Sequence, residues 1–260
     1  IYCFLWFIGH SVATYEEVRD RFDLTPDTVS NIVTKVSDFV GSLATETVRW
    51  PTQEEMDETK QYYEQKYGIP GVFADIDGTE IKINKPKTDH RSYYDRKGFY
   101  SVEMQVICDH KHRILHFCLG RPGKEHDAEQ YSNSRVYKIF AAKNVVTAYK
   151  DNGHLLPYQR RFNKILSECR VDVEHTIGIL KQMFRILYHV RLQPGMRRLK
   201  VIRACVVLHN VASTGDIKFL EAPLETCRCQ TCRNSQPDSD PDSSDEEPDL
   251  VIDDHVTGAQ

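Results

Sequence analysis

Three short apolar segments, separated by turns rich in glycine and charge, occupy residues 71–120. The first covers residues 72–77 and stops at Gly78, and the third covers residues 114–119 and stops at Gly120. In the middle segment, every second side chain is apolar or aromatic, and the side chains between them are polar. The apolar and aromatic members are Tyr100, Val102, Met104 and Val106. Alternation with a period of two predicts strands, and brief turns between consecutive strands predict an antiparallel meander.

Helical segments flank these strands. Hydrophobic periodicity indicates helices within residues 12–67 and, after the strands, at 126–142 and 158–190. Strands followed by helices predict an α/β fold, in which helices cover a mixed sheet. The chain divides into a helical region of residues 1–68, an α/β domain of residues 69–215 and a tail of residues 216–260. No apolar run reaches the ~18 residues that a membrane-spanning helix needs.

Charge is distributed unevenly along the chain. Residues 234–260 contain nine acidic and no basic residues, so the formal net charge is −4 for the whole chain but +5 for residues 1–233. A tail of this composition buries too little apolar surface to fold, and we expect it to be disordered. The negative total therefore does not exclude a nucleic-acid partner for the basic body of the chain.

The eight cysteines lack the spacing of a disulfide framework, which indicates a reducing compartment. Cys108 and Cys118 lie in predicted strands and are interpreted as small core residues. Cys227, Cys229 and Cys232 form a C-x-C-x-x-C motif. Because a structural zinc site needs about four ligands, we interpret this motif as incidental or weak metal binding. The alternative is a zinc-binding interaction module.

Two helix-start signals stand close together near the beginning of the chain. Thr14 and Glu17 have the spacing of a capping box, and Thr25-Pro26 combines an N-cap residue with a proline at the first helical position. Two helices joined by a short turn form a helix-turn-helix layout. The second helix would present four polar side chains to DNA: Ser30, Asn31, Thr34 and Lys35. The alternative is a helical hairpin that packs on the next domain.

Acidic residues stand where they could hold a metal ion. Asp77 ends the first predicted strand, and Asp75 points to the same face of it. Glu174 lies in a helix predicted over residues 168–189. Its stripe of that helix also carries Arg170, Lys181 and Arg185. The alternative to a metal site is that the charged residues of this stripe form salt bridges on a solvent-exposed face of the helix. Asp127 stands where a loop enters a helix, a position at which aspartate also serves as an N-cap.

Basic residues could supply a phosphate-binding surface. A tract of them is interleaved with Tyr93 and Tyr94: Lys82, Lys85, Lys87, Arg91, Arg96 and Lys97. Such a tract can follow a phosphate backbone, and the alternative is a solvated loop. The candidate phosphate contacts are Arg96 and Lys97 from the tract, with Lys181 and Arg185 from the helical stripe.

Seven sequence blocks occur in a fixed order along most of the chain. They are F-A-D-I-D-G-T-E-I at residues 73–81, Y-D-R-K-G-F-Y-S at 94–101, G-R-P-G-K-E-H-D at 120–127, Y-K-D-N-G-H-L at 149–155, Q-R-R-F-N at 159–163, R-V-D-V-E-H-T-I-G-I-L-K at 170–181 and A-C-V-V-L-H-N at 204–210. Together these blocks resemble those of the PIF/Harbinger-type DDE transposases and their domesticated nuclease relatives. An ordered set is far more specific than any single motif.

The resemblance implies a ribonuclease-H-like fold and a DNA endonuclease in which two Asp and one Glu hold two Mg²⁺ or Mn²⁺ ions for phosphodiester hydrolysis or strand transfer. Asp77 matches the first acid and Glu174 the last, whereas Asp127 matches an aspartate expected near or on the metal. The resemblance also implies a homo-oligomer and a Myb-like DNA-binding partner. A DNA substrate implies a nuclear location, with the cytoplasm as a further compartment.

One block of the family is missing. Its second catalytic Asp lies in a strand with a G-D-S/A-x-Y-P box, but here residues 135–148 lead into Tyr149 without that box. Residues 144–149 can form a strand but carry no carboxylate. We therefore expect a sheet that lacks one core strand and a catalytically impaired nuclease, with Asp75 and Glu80 as partly compensating acids. The alternative is a non-catalytic DNA-binding or regulatory protein.

Overall fold

The computed structural model describes residues 1–87, 90–122, 145–192 and 196–214. Five helices come first: α1 (Tyr2–Gly9), α2 (Tyr15–Phe22), α3 (Pro26–Ser42), α4 (Ala44–Thr47) and α5 (Gln53–Tyr67). They are followed by β1 (Asp75–Ile83), β2 (Ser101–Cys108), β3 (Ile114–Pro122), α6 (Pro157–Met183), a 3-10 helix (Arg185–Tyr188), β4 (His189–Val190) and α7 (Met196–Thr214). The predicted helix 126–142, the C-x-C-x-x-C motif and the acidic tail lie outside the described residues.

Both predicted helix starts near the beginning of the chain are confirmed. The Oγ1 atom of Thr14 accepts from the Glu17 amide at 3.3 Å, and the Thr14 amide donates to the Glu17 carboxylate at 2.8 Å. At the start of α3, Thr25 accepts from the Thr28 amide at 3.3 Å, and Pro26 is the first helical residue. These bonds satisfy amides that have no partner inside the helix.

The four strands form one mixed sheet in the order β3-β2-β1-β4. β1 pairs with β2, and β2 with β3, in antiparallel fashion. β4 joins the other edge of β1 in parallel, where His189 and Val190 lie opposite Lys82 and Ile83. Helix α6 packs on this sheet. The structure therefore confirms the α/β class, with a mixed sheet and flanking helices.

β1 continues through Gly78, where the sequence predicted a turn. The strand runs from Asp75 to Ile83 as one element, and Gly78 lies opposite Gln105 of β2. The row of interstrand hydrogen bonds outweighs the ~0.5–1 kcal/mol that a glycine costs inside a strand. Asp77 consequently lies within the strand rather than at its end, beside a position that carries no side chain.

The long helix α6 ends earlier than the sequence predicted. It stops at Met183 instead of residue 190, because Phe184 leaves the helical region with φ −119° and ψ 82°. Ile186 and Leu187 of the following 3-10 helix are fully buried, so this turn places two core side chains before β4 begins. Arg185 therefore belongs to the 3-10 helix and not to the stripe of α6. Within the described ranges, every helix is too short or too polar to cross a bilayer.

The N-terminal helices share one hydrophobic core with the sheet and α7. Buried side chains of α1 and α3 belong to the same cluster as those of β1, β2, β3 and α7. Two polar contacts join α3 to α7. Arg197 donates to the Ser30 hydroxyl at 3.3 Å, and Lys200 pairs with Asp38 at 2.8 Å. Helix α3 therefore packs directly against α7.

Asn210, in the last sequence block, connects three separate segments. Its Nδ2 atom donates to the carbonyl of Ile114 at 2.6 Å and to that of Thr47 at 2.9 Å. Its Oδ1 atom accepts from the Ile114 amide at 2.8 Å. Asn210 is only 1% exposed. The side-chain amide of Asn210 therefore hydrogen-bonds to both the amide and the carbonyl of Ile114, as a neighbouring strand would do at the start of β3.

Candidate active site and the adjacent basic cleft

Asp77 lies where α6 packs against β1. The Nη2 atom of Arg170 on α6 donates to its Oδ1 atom at 2.8 Å. The Asp77 side chain is 18% exposed and that of Arg170 is 51% exposed, so the pair is at the rim of the interface between strand and helix. The carboxylate already holds one cationic group, which shows that positive charge is stabilised at this position.

Glu174 lies four residues beyond Arg170 on α6, about 6 Å along the helix axis. Further along, the Nζ atom of Lys181 donates to the backbone carbonyl of Glu80 at 2.9 Å. The contacts of Arg170 and Lys181 align this stripe of α6 with β1 from Asp77 to Glu80. Glu174 is exposed and lies on that stripe between the two contacts. It therefore lies along the stretch of α6 that these two contacts hold against β1.

The two candidate acids carry donor atoms that suit a hard cation. Asp77 and Glu174 offer carboxylate oxygens, the donors that Mg²⁺ and Mn²⁺ prefer. The bond between Asp77 and the guanidinium of Arg170 marks a place where positive charge is favoured. In the part of the chain that the structure describes, no three His, Cys, Asp or Glu side chains come together to hold a metal ion. The third predicted ligand, Asp127, lies outside that part.

Asp75 is not a second open carboxylate next to Asp77. The hydroxyl of Tyr63 on α5 donates to its Oδ2 atom at 2.5 Å, and Asp75 is 8% exposed. Burial raises the pKa of Asp75 to about 6, and Asp172 on α6 raises it as well, whereas the bond from Tyr63 lowers it. Asp75 and Tyr63 therefore join β1 to α5, and Asp75 is an internal link between the two elements.

Asp172 makes the matching link from α6 to α5. It is buried, and its carboxylate accepts from the Lys66 ammonium at 3.3 Å and the Tyr67 hydroxyl at 3.2 Å. Hydrogen bonds to Tyr62 and Tyr67, together with the Asp172 carboxylate, raise the pKa of Lys66. Helix α5 therefore contacts β1 at Asp75, two residues before Asp77, and α6 at Asp172, two residues before Glu174.

The segment before α6 does not form the strand that the sequence allowed. Residues 145–150 are described and carry no strand. The Tyr149 amide donates to Oδ1 of Asn163 at 2.8 Å, and Nδ2 of Asn163 donates back to the Tyr149 carbonyl at 2.8 Å. A side chain of α6 thus takes the backbone bonds that a neighbouring strand would use. Asp151 is exposed and accepts from the Gly153 amide at 2.8 Å in its own turn, so it does not replace the missing acid.

A cleft of about 580 Å³ opens where β1, β2, the loop before β2, α6 and the 3-10 helix meet. Basic and aromatic side chains from β1, the loop before β2, α6 and the 3-10 helix line it: Lys82, Arg96, Lys97, Phe99, Lys181 and Tyr188. On its sheet side lie Gly78, Glu80 and Glu103, and the two glutamates are direct cross-strand neighbours. We call this cavity the basic cleft.

Charge in the basic cleft is only partly balanced. Lys97 pairs with the Glu80 carboxylate at 2.7 Å, and the Lys82 ammonium lies 5.5 Å from the centre of the Phe99 ring. Burial lowers the pKa of Lys181 to about 8, and the charge of Lys97 lowers it too, whereas Glu80 raises it. A buried ammonium of this kind is stabilised when an anion enters the cleft.

The structure separates the predicted DNA contacts into two groups. Arg96, Lys97 and Lys181 line the basic cleft, and Arg185 lines a second cleft that shares Tyr188 with the first. The other group lies on α3, where Ser30 and Thr34 are half-buried and Asn31 and Lys35 are exposed. Sequence reasoning missed Phe99 and Tyr188, because a single aromatic residue at a strand or helix end has no distinguishing local pattern.

Comparison with known proteins agrees with this architecture. Residues 76–210 match the family described as DDE superfamily endonuclease. The Arabidopsis thaliana protein named "Protein ALP1-like" is 26% identical over 75% of this chain and 55% of its own length. The Xenopus laevis protein named "Putative nuclease HARBI1" is 24% identical over 77% of this chain and 63% of its own length. The chain therefore spans less than two thirds of the length of either relative. No solved structure matches.

The matched region begins in β1 with Ile76, directly before Asp77, and ends in α7 with Asn210. It therefore contains both candidate acids, the basic cleft and the asparagine that fastens the start of β3. The expected PIF/Harbinger type is confirmed by the same match and by the names of the relatives. This chain belongs to the DDE superfamily endonuclease family.

Proposed function

We propose that this chain is the catalytic part of a transposase-derived DNA endonuclease that depends on Mg²⁺ or Mn²⁺. The observation that supports the proposal is that the stripe of α6 containing Glu174 lies along β1, where Asp77 is located. The bonds Arg170–Asp77 and Lys181–Glu80 fix the helix in this position. Enzymes of the DDE superfamily generally use divalent metal ions. A ribonuclease-H-like core, the metal role of Asp127 and a nuclear location belong to the same proposal.

Asp77 and Glu174 would hold the metal, which when bound activates a water or a 3′-hydroxyl and stabilises the leaving oxygen. Arg170 neutralises Asp77 in the metal-free chain, and its half-exposed side chain is free to turn away towards a substrate phosphate. Lys181 and Lys97 would hold the phosphates on the far side of Gly78, where they line the basic cleft. The central acid has no equivalent among the described residues, so we propose impaired catalysis.

The direct test is cleavage of labelled duplex DNA with Mn²⁺ by the wild type and by Glu174→Ala. We expect slow metal-dependent nicking in the wild type and loss of at least about tenfold in the variant, since removal of a ligand spoils the metal geometry. Glu168→Ala is a matched control, because Glu168 is an exposed acid of the same helix, 4.0 Å from Lys164. Equal rates for all three proteins would reject Glu174 as a catalytic residue.

A second candidate function is a DNA-binding or regulatory protein without cleavage activity. The occupation of Asp77 by Arg170, with no group of three possible metal ligands in the described ranges, favours it. The same assay separates the two. Salt-sensitive DNA binding without nicking by the wild type would support the second function. A homo-oligomer and a Myb-like DNA-binding partner are compatible with either function and remain proposals.

A further inference from the structure

We propose that the basic cleft binds an unpaired segment of the nucleic-acid substrate, with its phosphates on the lysine and arginine side chains and its bases against Phe99 and Tyr188. This inference rests on the proposed nuclease function and deepens it, because it specifies which form of the strand lies next to Asp77. The basis is the combination of cations, rings and position in one cleft.

Cations from separate elements converge on the cleft. Lys82 comes from β1, Arg96 and Lys97 from the loop before β2, and Lys181 from α6. Among the described residues, two carboxylates, Glu80 and Glu103, line the same cavity beside four basic groups, which leaves an excess of positive charge there. Convergence of this kind provides a site for phosphates, and each contact releases a counterion from the nucleic acid.

The aromatic side chains favour unpaired over paired strands. Phe99 and Tyr188 line the cleft, and Tyr188 is 50% exposed. Bases inside a duplex already stack on each other, so a protein ring can stack only on a base that has left the duplex. Such stacking tolerates any sequence, because every base has a π-face.

Size and position agree with a strand rather than a duplex. The volume of about 580 Å³ falls in the range of roughly 300–1,000 Å³ that holds small-molecule ligands, and one nucleotide is such a ligand. Tyr188 also lines the second cleft, with Ser11, Gln182 and Arg185, so the path continues beyond one nucleotide. Gly78, the residue after Asp77 in β1, is one of the residues that line the cleft. A strand bound in the cleft would therefore lie against the same part of β1 that carries Asp77.

The test measures binding without cleavage. The full chain is titrated, in EDTA, into a labelled single-stranded oligonucleotide and into the blunt duplex of the same sequence, and anisotropy is recorded. We expect the wild type to bind the single strand more tightly. Tyr188→Ala and Phe99→Leu should each weaken single-strand binding roughly tenfold and change duplex binding by less than about twofold. Tyr188 is exposed enough that its removal leaves the core intact.

The phosphate contacts have their own readout and control. Lys97→Ala should reduce the slope of log affinity against log salt concentration by about 0.7 for the single strand. Lys111→Ala is the matched control, because Lys111 is similarly exposed and pairs with Glu58 at the same 2.7 Å, away from the cleft. Its slope should not change.

Three results would overturn the proposal. The first is that the wild type shows no preference for the single strand. The others are that the Tyr188 and Phe99 variants lose equal affinity for single strand and duplex, or lose no affinity for either DNA form. The nuclease function can fail separately, because binding in EDTA does not depend on catalysis. If the cleavage assay shows no Glu174-dependent nicking but the ring variants lose single-strand binding, the cleft proposal stands and the enzyme proposal falls.

Discussion

Replacement of Asn210 by alanine should destabilise the fold by about 3 kcal/mol. The change leaves the Ile114 amide, the Ile114 carbonyl and the Thr47 carbonyl without their side-chain partner, at a site that is 1% exposed. A buried polar group without a partner costs ~1–3 kcal/mol, and carbonyls are at the lower end because each has a second lone pair. Against a typical total stability of about 5–15 kcal/mol, this is a large fraction.

Urea unfolding followed by circular dichroism measures this loss. With a slope of about 2–3 kcal/mol per molar urea for a chain of this size, the midpoint should fall by roughly 1 M at unchanged slope. Asn163→Ala is the matched control. This variant also removes two hydrogen bonds of 2.8 Å, which join the Asn163 side chain to the backbone of Tyr149. These bonds are exposed, so water can replace them. Its cost should stay below about 1 kcal/mol. Equal costs for Asn210 and Asn163 would refute the reasoning.

Two further predictions concern the acids of β1. Arg170→Gln should raise the apparent Mn²⁺ affinity about two- to fivefold. The reason is that the metal no longer has to displace the exposed Arg170–Asp77 ion pair, which is worth ~0.5–1 kcal/mol. The free-Mn²⁺ signal in electron paramagnetic resonance measures this affinity. Asp75→Asn should raise the free energy of unfolding at pH 7.5 by about 3 kcal/mol, because burial raises the pKa of Asp75 to about 6 and the carboxyl is charged at that pH. The folded-state pKa lies above the unfolded value, so the stabilising contribution of the protonated carboxyl is complete below about pH 4 and is lost as pH rises through about 6. Urea unfolding at several pH values should therefore show the variant's advantage only at higher pH.

Each of these results has a clear contrary outcome. Unchanged or weaker Mn²⁺ binding by Arg170→Gln would mean that Arg170 does not compete with the metal for Asp77. Arg161→Gln, an exposed arginine of the same helix, controls for the loss of charge alone. An advantage of Asp75→Asn that persists below pH 4 would show that the amide acts through packing rather than through the charge of Asp75.

The sequence predicted much of the site because its signals are local. Capping residues identify the starts of α2 and α3, and alternation of side chains identifies β2. Glu174 and Lys181 could be assigned to one helical stripe by spacing alone, and the structure aligns that stripe with β1. The ordered blocks correctly identified the family.

The errors arise where tertiary contacts outweigh local preference. Gly78 looked like a turn, but pairing with β2 carries the strand across it. The periodic pattern of α6 continued to residue 190, but burial of Ile186 and Leu187 ends the helix at Met183. Asp75 was placed on the same face as Asp77 as a partly compensating acid, and the structure shows that the hydroxyl of Tyr63, twelve residues earlier, binds it internally. None of these partners is visible in the local sequence.

The pairing of β1 with β4 constrains when the protein can fold during synthesis. Lys82 and Ile83 are made long before their partners His189 and Val190, and the asparagine that holds Ile114 comes later still, at residue 210. Contacts so distant along the chain form slowly, since a long loop must close first. A nascent chain on the ribosome therefore exposes an unfinished sheet edge until its last helix emerges. During that interval, chaperone binding or edge-to-edge association competes with completion of the nuclease core.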